Sequence, residues 1–251
     1  RGMDMATYAI GDIHGQIEAL KTLIKKLNLK KEDHVIFLGD YVGRKSQWLE
    51  VLKYAESLKS VCRITKLWGN HEKMLYDHIE RFKSHRWSAS LLNRFDDCFH
   101  GTGGEFLQFE DPEQKYVSQF FKDMQFDISI ETKKYSYVLC HALPKDVGYT
   151  PDDSIWGRLM QNENLDFTCD VAIDKHTLFN KYAGKTIVHG HTPVLLHYEN
   201  NSNIAPNRLF KYKIQEVSFI DIDLGAKLFG RYPNANLCAL RLEDQTPFYA
   251  A

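Results

Sequence analysis

The sequence has no CxxC pair, no apolar run long enough to cross a bilayer and no surplus of charge of either sign. Each absence removes a class of protein. The five cysteines, Cys62, Cys98, Cys140, Cys169 and Cys238, are odd in number and irregularly spaced. That argues against a disulfide framework or a thiolate zinc site and fits a reducing compartment, so the expected location is cytoplasmic. A membrane helix needs about 20 consecutive apolar residues, and neither such a run nor a leader peptide is visible. With 32 basic and 33 acidic residues the net charge is −1. Neither nucleic acid nor a membrane surface is expected as a partner, and any anion site must be local. No repeat, linker or low-complexity stretch divides the chain, so one domain is expected over residues 5–245. At 251 residues and 43% hydrophobic content, such a domain can bury a sizeable core.

What is present is a strand–helix alternation. Thr7–Ile10 reads as a strand, followed by a helix with Ile17, Leu20, Leu23, Ile24 and Leu27 at helical spacing and Asn28 at its end. Val35–Leu38 reads as a second strand, and a second helix runs from about Gln47 to Ser60. A third strand covers Cys62–Leu67. This spacing favours parallel strands in a βαβαβ unit. A helical insert is expected over about 73–125, broken at Gly101–Gly104. Strands follow at Asp127–Glu131, Tyr135–Cys140 and Thr186–Val188, then a polar loop over Glu199–Asn203 and an alternating tail with Val217–Ile222 and Leu237–Leu242.

The chemistry gathers just past these strands. Asp12 and His14, Asp40, Asn70 and His71, His141, and His189 and His191 each follow an apolar run. Carboxylate and amide oxygens with imidazole nitrogens, and no thiolate, suit manganese, iron, zinc or related divalent ions. Six ligands are too many for one catalytic ion. They suit two ions about 3.5–4 Å apart that share a carboxylate and clamp a phosphoryl group. One Asp-x-His is weak evidence on its own; recurrence on five strands is not.

These motifs, Gly11-Asp12-Ile13-His14-Gly15, Gly39-Asp40-Tyr41-Val42-Gly43-Arg44, Gly69-Asn70-His71-Glu72, His141-Ala142 and Gly190-His191-Thr192-Pro193, resemble those of the calcineurin-like metallophosphoesterases. Within them the chain is similar to the phosphoprotein phosphatase branch, in its bacterial, phage-type and symmetrical diadenosine tetraphosphatase forms. The resemblance implies an α/β fold, an αββα sandwich of two mixed sheets with a dinuclear metal site at the strand ends. It implies that Asp12, His14 and Asp40 hold one ion, and that Asp40, Asn70, His141 and His191 hold the other. The expected ions are manganese first, with iron, zinc, magnesium, nickel or cobalt as alternatives. A metal-activated water would attack phosphorus directly, His71 would act as general acid, and Arg44 and Arg158 would bind the phosphate. His189 is left as a supporting or structural residue.

One departure stands out. The family pattern is Asp-x-x-Asp-Arg-Gly, whereas this chain has Asp40-Tyr41-Val42-Gly43-Arg44-Lys45. Gly43 replaces the carboxylate that orients the general acid. Another acid in space, a leaving group needing less protonation, or a weakened phosphatase would each account for it. The expected activity is phosphomonoester hydrolysis on phosphoprotein (Ser/Thr). The alternatives are hydrolysis of diadenosine polyphosphate, with Trp87, Phe95, Phe99 and Tyr149 as base-stacking walls, and a phosphate-binding interaction protein without turnover. Oligomeric state is not legible in the sequence.

Overall fold

A computed structural model describes residues 5–43, 47–83, 106, 108–144, 147, 175–195 and 208–251. Arg44, Arg158, the glycine run 101–104, the loop 199–203 and the four aromatic candidates Trp87, Phe95, Phe99 and Tyr149 lie outside the described residues.

β1 (Thr7–Ile10) and β2 (His34–Phe37) are buried along their whole length. Between them α1 (Ile17–Leu27) buries Ile17, Leu20, Leu23, Ile24 and Leu27, the stripe expected from the sequence. It ends where Asn28 turns left-handed at φ 50°, a conformation asparagine tolerates. α2 (Trp48–Ser57) buries Trp48, Val51, Leu52 and Ala55, then tightens into a 3₁₀ turn at Leu58–Ser60. β3 (Arg63–Lys66) leads into α3 (Asn70–Lys83), and α4 (Asp111–Lys122) follows in the described chain. β4 (Asp127–Glu131), β5 (Ser136–Cys140), α5 (Lys175–Lys181) and β6 (Thr186–His189) come next. The chain closes with β7 (Phe210–Ile214), β8 (Val217–Asp221), β9 (Cys238–Arg241) and β10 (Thr246–Tyr249).

Among the described residues these strands form two mixed five-stranded sheets, ordered β10-β9-β1-β2-β3 and β4-β5-β6-β8-β7. Alternation along each strand builds the layers. Ala9, Ile36 and Leu38 of the first sheet meet Tyr137, Leu139, Val188 and Ile220 of the second in a shared core. Tyr8, Ile10, Val35 and Phe37 point the other way, onto α1 and α2. Val138, Ile187 and Phe219 face outward in the second sheet and pack on Leu178 of α5. The result is the expected αββα sandwich. β1, β2 and β3 are parallel neighbours, as are β5, β6 and β8, so their carboxyl ends share one edge in each sheet. Open α/β sheets place their chemistry at that edge.

The sequence reading passed over β7 and β10. Both lie at sheet edges, where only one neighbour constrains them. Phe210, Tyr212 and Ile214 nonetheless alternate with lysines, a period-two signal. The start of α3 also differs: Asn70 is its first residue rather than part of a loop before it.

His34 links β2 to β3, its Nε2 lying 2.8 Å from Thr65 Oγ1. Burial and the nearby Arg63 lower its pKa from 6.5 to about 4. The unfolded chain therefore takes up the proton first, and this stability, complete above about pH 6.5, is lost as pH falls toward 4. Urea denaturation across that range is expected to show a falling unfolding free energy, with a shallower fall in His34→Gln. Equal slopes would remove His34 as the source.

Candidate metal centre

The six ligand candidates converge at the shared edge. Asp40 stands at the middle: its Oδ2 lies 3.4 Å from His14 Nε2 and its Oδ1 lies 3.4 Å from His141 Nε2. Asn70 Oδ1 is 2.9 Å from His141 Nε2 and 3.0 Å from His191 Nδ1. Two compact groups result, His14–Asp40–His71 and Asp40–His141–His191, each with its donor atoms within 4.8 Å of one another. Asp12 stands beside the first group, 3.8 Å from His14 Nε2, and accepts the His191 backbone N–H at 3.1 Å. His71 thus sits where the sequence reading expected ligands, and Asp12 lies at the margin. His189 turns away onto the outer face of its sheet, where its Nε2 meets the Tyr212 hydroxyl at 3.2 Å and its ring packs near Phe219.

The backbone is strained where the ligand candidates sit. His14, Asp40 and His191 have φ values of 48°, 51° and 75°, three of the six positive values among described non-glycine residues. Such conformations cost energy and persist only where surroundings enforce them. Glu72 enforces the one at Asp40. This fully buried carboxylate accepts the N–H groups of Asp40 at 2.8 Å, Val42 at 2.9 Å and Gly69 at 3.0 Å. Burial raises its pKa to about 7, against the pull of those donors. The sequence reading quoted Glu72 within its motif and gave it no role.

The donor set fits divalent cations. His141 Nδ1 donates to Leu38 O at 3.1 Å, and burial lowers the ring's pKa to about 3. Its Nε2 is therefore a bare lone pair, facing the Asp40 carboxylate and the Asn70 carbonyl oxygen. His14 repeats the geometry, with Nδ1 donating to Val42 O at 3.2 Å and Nε2 toward Asp40. Lone pairs and carboxylates at such distances repel unless positive charge lies between them. Asp12 shows the same stress: burial and the charges of Asp223 and Asp40 hold its pKa well above the usual carboxylate range.

Comparison with known proteins agrees. The family model of calcineurin-like phosphoesterases matches residues 5–219. The chain belongs to that family. Curated relatives include the symmetrical bis(5'-nucleosyl)-tetraphosphatases of Hamiltonella defensa, 44% identical over 69 residues, and Psychromonas ingrahamii, 39% identical over 98 residues. The first match covers 27% of this chain and 24% of the relative; the second covers 38% and 34%. The matched stretch is thus only a quarter to a third of those relatives' length. Among solved structures the fold is similar to a cold-active protein-tyrosine phosphatase of a psychrophilic Shewanella species. The TM-score is 0.54 at 19% identity, covering 99% of this chain and 81% of that one. A Saccharomyces cerevisiae serine/threonine phosphatase gives 0.51 at 15%, covering 98% and 79%. At these identities the likeness shows the fold of this calcineurin-like phosphoesterase.

Two further residues of the family member were missed as site residues. Asp223 follows β8 as Asp12 follows β1, is fully buried, and its charge helps to raise the Asp12 pKa. Lys227 comes four residues later, with its Nζ 3.4 Å from His191 O. The strand-end rule that found the ligand candidates would have pointed to Asp223.

Glu72→Ala leaves three buried N–H groups without their acceptor, at about 1–3 kcal/mol each. Urea denaturation is expected to show a loss of at least about 3 kcal/mol, and calorimetry a loss of manganese binding. Retention of both would mean that Asp40 needs no such anchor.

Proposed function

We propose that the chain is a divalent-metal-dependent phosphoesterase whose substrate is a dinucleoside polyphosphate. Support for the substrate class comes from the curated relatives' names and from one contact, Gly43 against His71. Gly43 has φ +96°, and a Cβ at that position would lie 2.5 Å from His71 Nδ1. The residue that replaces the family's orienting carboxylate therefore lies directly against the imidazole, with no room for a side chain.

The rest follows from the chain's own groups. Asp12, His14 and Asp40 would hold one ion, and Asp40, Asn70, His141 and His191 the other. Such ions supply Lewis acidity, polarising the phosphoryl oxygens and lowering the pKa of water. Asn70 contributes a neutral oxygen, which leaves net positive charge for the anionic substrate. His71 is held by its backbone N–H, which donates to Asp40 Oδ1 at 3.2 Å. Its Nε2 lies 3.9 Å from Asp40 Oδ2, on the metal side of the ring. From there it would protonate the leaving oxygen. A nucleoside diphosphate leaves as a far weaker base than an alkoxide and needs less of that help, which suits a histidine backed by a glycine. Arg44 and Arg158 are proposed to fork onto phosphate oxygens. The phosphoserine or phosphothreonine substrate expected from the sequence becomes the second reading, supported by the fold shared with the yeast phosphatase.

Manganese-loaded protein assayed on diadenosine tetraphosphate, p-nitrophenyl phosphate and a phosphoserine peptide is expected to favour the dinucleotide by about tenfold or more in kcat/KM, a difference of about 1.4 kcal/mol in transition-state binding. The reverse preference would establish the second reading; no turnover on any substrate would leave a phosphate-binding protein. His71→Asn is expected to slow an alkyl phosphate more than p-nitrophenyl phosphate. Equal slowing would argue against a general acid.

A further inference from the structure

Among the described residues Lys66, Lys73, Lys185 and Lys227 lose solvent, and they differ in what they touch: Lys73 pairs with Asp77 and Lys185 lies near the Tyr182 ring. Lys66 on β3 is buried, and its Nζ donates to Glu56 Oε2 at 3.2 Å and Phe120 O at 2.9 Å while lying over the Phe120 ring. Its charge is engaged in tying β3 to α2 and α4. Lys227 is half-buried at the metal centre. Its Nζ has one long contact, 3.4 Å to the carbonyl of His191. Among the described residues no carboxylate lies within ion-pair distance of it.

The turn that carries Lys227 is pinned. Gly225, at φ +78°, donates its N–H to Asp223 Oδ1 at 2.8 Å, and Leu228 N donates to Gly225 O at 2.7 Å. The Gln16 side chain donates to Ala226 O at 3.1 Å, which fastens the turn to the start of α1. The backbone beneath Lys227 is therefore fixed beside the centre. A cation half-removed from water, close to ligands that would bind further cations, calls for an anion. With a net charge of −1, the whole chain supplies no general field to attract one.

We propose that Lys227 is a phosphate-binding residue of the centre, its ammonium holding an anionic oxygen of the substrate's phosphate chain at the rim between Asp12 and His191. Lysine suits this position, because a compact point charge on a flexible stem can follow successive phosphates without the fixed fork of arginine. The role rests on the phosphoesterase reading of the centre and not on the choice of organic substrate.

The test is binding of inorganic phosphate to the manganese-loaded protein, measured by isothermal titration calorimetry, in the wild type, Lys227→Met and Lys227→Arg. A hydrogen bond to a charged group contributes about 1.5–3 kcal/mol, so Lys227→Met is expected to bind phosphate about ten- to a hundredfold more weakly. Lys227→Arg is expected to stay within about threefold of wild type, and manganese affinity in both variants to change by less than about threefold. Lys213→Met, which removes an exposed lysine paired with Glu216 at the far end of the β7–β8 hairpin, is expected to leave phosphate affinity unchanged. Wild-type phosphate affinity in Lys227→Met would overturn the proposal. So would loss of manganese in parallel with phosphate, which would make Lys227 a structural counter-charge to Asp12 and Asp223. If the wild type binds phosphate yet hydrolyses no dinucleotide, the substrate reading fails while the role of Lys227 stands.

Discussion

Three backbone N–H groups, from Asp40, Val42 and Gly69, converge on the buried carboxylate of Glu72. The loop after β2 has left extended geometry, and Asp40 is held at a positive φ that would relax if released. Glu72 sits on α3, the helix that begins with Asn70 and His71. One carboxylate thus fixes the loop that carries the central aspartate to the helix that carries a ligand candidate and the proposed acid. The sheets bring strand ends to one edge; Glu72 converts that proximity into a fixed distance.

The second constraint is electrostatic. Asp12, Asp221 and Asp223 are buried, and burial raises the proton affinity of each, with the charge of Asp223 adding to it at Asp12 and Asp221. Beside them the buried His141 and the half-buried His191 resist protonation. Buried carboxylates that attract positive charge and imidazoles kept neutral are the two halves of a cation site. The same cluster would be a poor core: hydrophobic residues of equal volume would bury there at less cost. On the proposed reading, Lys227 at the rim and Gly43 behind His71 would tune what such a site binds and how much proton transfer it supplies.

Most of the architecture was legible from period and punctuation. The apolar stripe of α1, its Asn28 stop and the short buried strands each followed from local residues. The ligand candidates were legible because the same chemistry recurred after successive strands. β7 and β10 were not read, since edge strands are defined by a neighbour as much as by their own pattern. Asp223 was not legible as a site residue because it follows a strand in the closing segment, where β alternation dominates the local pattern. The acceptor role of Glu72 was invisible, because its three donors lie up to 32 residues away along the chain.

The sequence by itself determined the layered α/β class, the ligand types and the departure at Gly43, since each is a property of residue identity at short range. Only the tertiary structure decided which atoms meet: that Asp40 lies between His14 and His141, that Asp12 turns toward His191, that Gly43 lies against the ring of His71, and that Lys227 comes to the rim. These are long-range contacts, closed by strand pairing within each sheet and by packing one sheet on the other, and local sequence carries no energy term that selects them.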